Sequence, residues 1–408
     1  MPARLAPLPC PSGPGVLTEV LPRLRAALEG SGPALLPVPD GPTAQAVRSM
    51  GRLDEALETG PGGEPVALVV PTSGSTGQVK GALLGATAMR ASARAALDRL
   101  GGPGRWLLAL PTTHVAGLNV LVRSLLADTE PVPMPLDAGF TAAGFVTATA
   151  RLGPGRRYTA LVPTQLRRLL VDPAGAAALA SYDAVLLGGA AAEPDLLERA
   201  QRAGVHVVTT YGMSETCGGC VYDGVALDGV QVVLEPAGTA HPGASRVVLG
   251  GSCIFLGYRG EPARSVRALR VDEEGTRWHL TNDTGRWEAS GRLAVLGRLD
   301  DLVVSGGENV APALVERALL TCSLVAEAVV VGVPDPQWGQ RVVAVVVPAD
   351  PARPPGLGEL VAACRASLPA PWAPRGMVLA ERLPMLGSGK PDREAIRGLA
   401  AAQDGSPG

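Results

Sequence analysis

The chain has 408 residues and a net charge of −2, mixed along its length, with 46% hydrophobic and 18% charged residues. That length allows two or three domains with ample core, and the balance excludes a disordered chain. There is no basic footprint for nucleic acid, no apolar run of the roughly 18 residues that a membrane span needs, and no apolar signal-peptide centre in MPARLAPLPCPSGPG. A cytoplasmic protein is expected, and its oligomeric state is not legible.

In chain order, residues 1–15 read as a frayed end. PVALVV (65–70) reads as a buried strand, TSGSTGQVKG (72–81) as a loop and ALLGATAMRASARAALDRL as the helix that follows. Strand candidates RWLLAL (105–110), YTALV (158–162), DAVLLGG (183–189) and HVVTTYG (206–212) then alternate with helical patterns. These are GLNVLVRSLLA, TQLRRLL and EPDLLERAQRAG. Buried strands alternating with amphipathic helices indicate an α/β fold with a parallel, helix-covered sheet.

After about residue 228 the strands shorten (VQVVLE, SRVVLGG, TRWHLTND, GRLAVLG), which suggests an antiparallel, barrel-like part. Beyond GRLDD (297–301) a compact α+β tail is expected: helices near 311–320 and 357–368, and strands AEAVVVGV, RVVAVVV and GMVLA. Residues 401–408 read as a second frayed end. The division expected is 1–298, a large domain, and 299–408, a small one.

Two lysines stand among 34 arginines: Lys80 in TSGSTGQVKG and Lys390 in GSGK. An ammonium is a compact point charge with rotatable donors, whereas guanidinium is a broad planar fork. A tight phosphate pocket, or a charge that must reach a reacting oxygen and withdraw, favours lysine. A Gly/Ser/Thr loop between strand and helix offers inward N–H groups, hydroxyl donors and a helix N-terminus to phosphate. The GxxxxGK[ST] pattern is absent, because Val79 precedes Lys80 and Gly81 follows it. A flexible linker is the bland reading of the loop, and a solvated surface cation that of Lys390.

Six cysteines are scattered, and Cys217-Gly-Gly-Cys220 alone has metal or redox spacing. With no second CxxC and four isolated histidines, a four-ligand zinc site is not supported, and reduced structural cysteines are expected.

The loop, with YGMSET (211–216), LTNDTGRW (280–287), GRLDDLVVSGGENVAPALVE and LPMLGSGKPDR, resembles the ordered signatures of the acyl-adenylate-forming superfamily. That superfamily comprises acyl-CoA synthetases, adenylation domains and luciferases, and the resemblance covers residues 66–393. THVAGL, VPTQLRRLL, LLGGAA and TTYGMSETCGG look most like segments of the o-succinylbenzoate–CoA ligases of menaquinone synthesis. Two departures stand out: Asn282 where the family has glycine, which leaves Asp283 correctly placed because Asn tolerates left-handed backbone, and Val79 where it has proline, a harmless change.

The resemblance implies a two-step reaction with ATP, Mg2+ and coenzyme A. A small carboxylic acid attacks the α-phosphate to give acyl-AMP, and the thiol of coenzyme A then displaces AMP. It implies that Thr72, Ser73, Gly74, Ser75, Thr76, Gly77 and Lys80 hold phosphates, and that Glu215 carries the metal. Gly188, Gly189, Ala190, Tyr211 and Ser214 would line the nucleotide site, and Asp283 with Arg298 would meet the ribose. Lys390, Lys80 and His114 would be catalytic. His114, Thr164 and Gln165 would line the acyl pocket, Asp300 would be the hinge of a mobile C-terminal domain, and Ser305, Gly306, Gly307 and Glu308 would form a loop beside the coenzyme A channel. Competing readings are a structural histidine at 114, helix caps at Thr164 and Gln165, a helix N-terminal glutamate at 215 and a surface ion pair at Arg298. At the level of function they are another aryl- or fatty-acid–CoA ligase, a carrier-loading adenylation enzyme, or a non-catalytic nucleotide-binding relative.

Overall fold

A computed structural model describes residues 4–73, 79–238, 244–385 and 391–403; the side chains of Ser73 and Gln403 lie outside that description. The chain is α/β and falls into two compact units, the larger formed by residues 1–233 and 248–280 and the smaller by residues 234–247 and 281–408. The contact division therefore falls at 280/281.

In the larger unit the first sheet runs Leu5–Pro9, Ala34–Val38, Val66–Ser73, Val79–Gly85, Gly257–Tyr258. Leu5–Pro9 pairs in parallel with Ala34–Val38, so the chain start is not frayed from residue 5 onward. The reason is burial: Leu5 and Leu8 are almost wholly inside, and Leu5 packs with Leu36, Val69, Leu83 and Leu256.

A seven-stranded sheet follows, ordered Val225–Ala226, Gly218–Tyr222, Val207–Met213, Ala184–Leu187, Arg157–Leu161, Arg105–Leu108, Val132–Pro133. Its five strands from Val207–Met213 to Val132–Pro133 are parallel, as the strand–helix alternation requires. Leu107, Leu161, Val185 and Leu187 of these strands pack with Phe145, Leu166, Leu169 and Leu196 of the covering helices. The chain leaves each strand at its C-terminal end for the helices Val115–Leu126, Pro163–Val171 and Pro194–Arg202, which places the candidate site residues in these connections.

In the smaller unit Val325–Asp335 and Gly339–Pro348 form a long antiparallel pair, with Val303–Ser305, Glu308–Val310 and Gly376–Leu379 completing the sheet. Valines fill both faces. Val330, Val342 and Val346 face helices Pro312–Leu319 and Leu357–Arg365, while Val329, Val331, Val343 and Val345 face helix Arg393–Gln403. Period-2 side-chain alternation explains why a near-continuous valine run is needed where helices cover both sides. The second expected frayed end is helical through residue 403. Short antiparallel ladders also occur: Leu269–Val271 against Arg277–His279 in the larger unit, and Asp283–Trp287 against Leu293–Arg298 in the smaller.

Candidate active site

The structure corrects the local setting of the opening loop. Val66–Ser73 and Val79–Gly85 are antiparallel partners, with Thr72 opposite Lys80 and Ser73 opposite Val79. The loop therefore joins two strands, and the next helix, Ala86–Arg99, begins only after Gly85. No helix N-terminus follows the loop directly. A short apolar run, here ALLG, fits strand and helix equally by periodicity, and its pairing with buried strand 66–73 decides it. Gly74, Ser75, Thr76 and Gly77 lie outside the described residues, as does Lys390.

Lys80 and Glu215 approach each other through a residue that the motif reading missed. Tyr258 donates its hydroxyl to Glu215 Oε1 at 2.7 Å, and the Lys80 ammonium lies over the Tyr258 ring, 5.0 Å from its centroid. Glu215 and Tyr258 are both buried. Burial, together with the neighbouring Glu215 carboxylate, raises the Tyr258 hydroxyl well above its ordinary pKa, so it remains a donor. Its signal in the sequence is FLGYRG, a large polar-tipped aromatic followed by an arginine among apolar residues.

Glu215 sits on a 3-10 turn, Ser214–Thr216. The Thr216 hydroxyl accepts from the Met213 N–H at 2.9 Å and lies 2.7 Å from the Gly218 carbonyl, which it reaches as a donor. Cys217 ends the turn at φ 51°, an uncommon conformation for a residue with a Cβ. Its carbonyl accepts from the Ser92 hydroxyl and from the Asn119 amide, both buried, and these bonds hold the turn. Cys217 and Cys220 are free and buried, and burial pushes the Cys217 thiol well above its usual range. The helix N-terminal alternative for Glu215 does not describe this turn, since strand Gly218–Tyr222 follows it directly.

A carboxylate taken out of water needs a compensating partner. Among the described residues Glu215 forms no ion pair, and its partner is the neutral Tyr258 hydroxyl. A buried, singly hydrogen-bonded carboxylate has the donor chemistry of a hard divalent cation such as Mg2+.

Gly188 and Gly189 follow strand Ala184–Leu187, and Tyr211 lies in strand Val207–Met213 beside it. A Cβ at Gly188 would lie 2.3 Å from Thr210 Oγ1, and Gly189 has φ +80°, so both positions demand glycine. Ala190 is exposed, while Tyr211 and Ser214 are half-buried.

His114 is the exposed N-cap residue of helix Val115–Leu126 and makes no side-chain cap bond there. Gln165 is committed to the backbone: Oε1 accepts from the Val162 N–H at 3.0 Å, and Nε2 donates to the Ala109 carbonyl at 3.0 Å. It thus closes the first turn of Pro163–Val171 and ties that helix to the end of the Arg105–Leu108 strand region. Thr164 is exposed inside the same turn, and the N-cap residue is Val162. The capping alternative therefore describes Gln165 and not Thr164.

In the smaller unit, Arg298 bridges two aspartates. It holds Asp300 through Nε–Oδ1 and Nη2–Oδ2 contacts of 2.8 and 2.9 Å, and its Nη1 lies 3.7 Å from Asp283 Oδ1. Asp283 is buried opposite Arg298 in the ladder, and its N–H donates to Thr281 Oγ1 at 3.0 Å. Asn282 is an exposed strand residue with ordinary negative φ, so its replacement of glycine calls for no left-handed backbone. Ser305 and Glu308 pair across the two-residue turn Gly306-Gly307, whose φ values of +61° and +83° suit two glycines. Ser305 is buried and receives a 3.5 Å hydrogen bond from Arg375, while Glu308 is exposed.

Known proteins resemble this chain over most of its length. The AMP-binding enzyme family model matches residues 23–253, and the AMP-binding enzyme C-terminal domain model matches residues 314–390. A probable 2-succinylbenzoate–CoA ligase of Mycobacterium tuberculosis is 46% identical over 379 residues, covering 92% of this chain and 94% of the relative. A feruloyl-CoA synthase of Amycolatopsis sp is 32% identical, covering 91% and 80%. Among solved structures, the o-succinylbenzoate CoA synthetase (MenE) of Bacillus subtilis in complex with the acyl-adenylate intermediate OSB-AMP superposes with a TM-score of 0.75 at 25% identity. That match covers 97% of this chain and 88% of the other. The chain belongs to the AMP-binding enzyme family.

Proposed function

We propose that the protein is an AMP-forming acid–CoA ligase that converts o-succinylbenzoate to its coenzyme A thioester, a step of menaquinone biosynthesis. The observation that carries the reading is a buried carboxylate and an ammonium, Glu215 and Lys80, that meet the hydroxyl and the ring of the same Tyr258 side chain, with Lys80 on the strand that follows the Gly/Ser/Thr segment. The 46% identity over nearly the whole chain supports the choice of acid.

In the first half-reaction two anions meet, so the protein must mainly neutralise charge and position groups. Thr72, Ser73, Gly74, Ser75, Thr76, Gly77 and Lys80 bind the β- and γ-phosphates. Glu215 holds Mg2+, which supplies charge neutralisation at the phosphates when bound. Gly188, Gly189, Ala190, Tyr211 and Ser214 take the adenine side, and Asp283 with Arg298 takes the ribose. Lys390 meets the substrate carboxylate and α-phosphate. A small domain starting at residue 299 and pivoting at Asp300 then withdraws Lys390 and presents Ser305–Glu308 to coenzyme A. His114 and Thr164, both exposed at the starts of their helices, face the acid; Gln165 frames that pocket by fixing the helix start. Among the described residues no helix is long and apolar enough to cross a membrane, and we assign the enzyme to the cytoplasm.

The test is the specificity constant for thioester formation across o-succinylbenzoate, ferulate, benzoate and a medium-chain fatty acid. The reading requires o-succinylbenzoate to lead by at least about tenfold, the value of one well-made polar contact to its second carboxylate. A lead for ferulate or a fatty acid would retain the mechanism and remove the substrate assignment.

A further inference from the structure

We infer that Tyr258 is a positioning residue for adenylate formation: its hydroxyl orients the Glu215 carboxylate while its ring carries the Lys80 ammonium, so one side chain sets the spacing of the two charges. The inference rests on the proposed roles of Glu215 and Lys80 and adds a residue that neither the motifs nor those roles include.

Three separate elements meet here. Lys80 comes from the hairpin strand Val79–Gly85, Glu215 from the turn Ser214–Thr216, and Tyr258 from strand Gly257–Tyr258. Neither Lys80 nor Glu215 has a rigid side chain. An ammonium on four methylenes and a carboxylate on two need an external reference to stand at a fixed separation. Tyrosine supplies it with two χ angles, a flat face for the cation and a hydroxyl for the anion. Because the hydroxyl is neutral, it anchors one oxygen of the carboxylate without cancelling its charge, which an arginine in its place would do.

Tyr258 is itself held at both backbone and ring. It pairs with Ala82, two residues from Lys80, in the antiparallel ladder. Its N–H donates to the Ser265 hydroxyl at 2.8 Å, and its ring meets that of Phe255 edge-on at 4.9 Å. Phe255 donates its N–H to the Glu215 carbonyl at 2.9 Å, so the same short segment holds Glu215 by backbone and side chain. The next residue, Arg259, is buried. Its N–H donates to the Gly81 carbonyl, and its guanidinium donates to the carbonyls of Gly51, Arg52, Glu55 and Ala56 and to the Glu58 carboxylate. A reference that must hold two flexible charges gains from this anchoring, because any slack in it would pass to both.

The experiment compares the wild type with Tyr258→Phe, which keeps the ring, and Tyr258→Leu, which removes ring and hydroxyl. Calorimetry measures ATP binding with and without Mg2+. Pyrophosphate release is titrated with Mg2+, and thioester formation is started separately from preformed acyl-AMP. Tyr258→Phe should raise the Mg2+ concentration at half-maximal rate about tenfold, as loss of a group that orients a metal ligand does. It should leave metal-free ATP binding and the acyl-AMP half-reaction near wild type. Tyr258→Leu should also weaken metal-free ATP binding. In a Glu215→Gln background, Tyr258→Phe should change the Mg2+ dependence no further. Wild-type Mg2+ dependence in Tyr258→Phe, an equal fall in both half-reactions, or full additivity with Glu215→Gln would each overturn the inference. If Tyr258→Phe does not fold, Glu215→Asp is the second test. Its carboxylate draws back from the hydroxyl, so the same rise in Mg2+ requirement is expected, and unchanged Mg2+ dependence counts against the inference. The calorimetry needs no acid substrate, so a wrong acid, or a wrong reaction, is distinguishable from a wrong role for Tyr258.

Discussion

Arg298 grips Asp300 with two parallel hydrogen bonds of 2.8 and 2.9 Å and reaches toward Asp283 with its remaining nitrogen. One guanidinium thus connects the carboxylate proposed to meet the ribose with the residue proposed as the pivot. Bidentate pairs of this kind add directional constraint beyond their charge. Arg298 is 45% exposed in its side chain, so the pair's contribution to stability is small, within about 1 kcal/mol. Its effect should appear in the balance between the half-reactions. Asp300→Ala should lower thioester formation from preformed acyl-AMP on the order of tenfold while pyrophosphate release stays within a few-fold. The opposite pattern would remove Asp300 from the pivot.

Lys80 should resist conservative replacement. Lys80→Ala should reduce acid-dependent pyrophosphate release by about 10²–10³, and Lys80→Arg should recover little of it. The ammonium stands over the Tyr258 ring, where a planar fork presents its charge differently. Recovery to within a few-fold by arginine would show that a diffuse positive charge suffices.

Gln165 offers a test of framing against contact. Because both ends of its amide bond backbone groups, Gln165→Ala should cost roughly 1–2 kcal/mol in urea unfolding. Thr164→Val, on an exposed position of the same turn, should stay within about 0.5 kcal/mol. If Thr164→Val nevertheless raises KM for the acid, Thr164 touches substrate. A stability loss at 164 equal to that at 165 would contradict the division of labour.

The Arg259 clamp gives an acid dependence. Burial works against ionisation of Glu58, but the Arg259 guanidinium and the Gly260 N–H outweigh it and hold the carboxyl below its ordinary value. A folded pKa below the unfolded one stabilises above the unfolded value, near 4.3, and that contribution disappears as pH falls through the folded one. The melting-temperature gap between wild type and Glu58→Gln should therefore be present at pH 7 and close toward pH 3. A gap independent of pH would assign the effect to packing.

The α/β architecture and the valine-rich tail were legible because buried strands on both faces must be near-continuously apolar. The first hairpin was not, because ALLG satisfies two periodicities and only pairing with residues 66–73 distinguishes them. Leu5–Pro9 was missed for a related reason: proline at 7 and 9 argues against a strand, yet this one sits at the sheet edge, where proline is tolerated. Glu215 and Lys80 stood out by motif and rarity, whereas Tyr258 lies more than 40 residues from either, and nothing local in the sequence joins it to them. Asn282 looked anomalous only because glycine suggests special backbone; in an extended strand the substitution is conformationally ordinary.

The partners of the Arg259 guanidinium lie 201 to 208 residues before it, and strand Gly257–Tyr258 closes a sheet whose other four strands end at residue 85. During synthesis at about 5–20 residues per second, residues 51–58 wait roughly 10–40 s for Arg259 to leave the ribosome. Through that interval strand Val79–Gly85 presents an open edge, the kind of surface that pairs with foreign strands. The Lys80–Tyr258–Glu215 arrangement assembles only when the edge is sealed, so the nascent chain sets the spacing of two site charges and loses its stickiest margin in the same event.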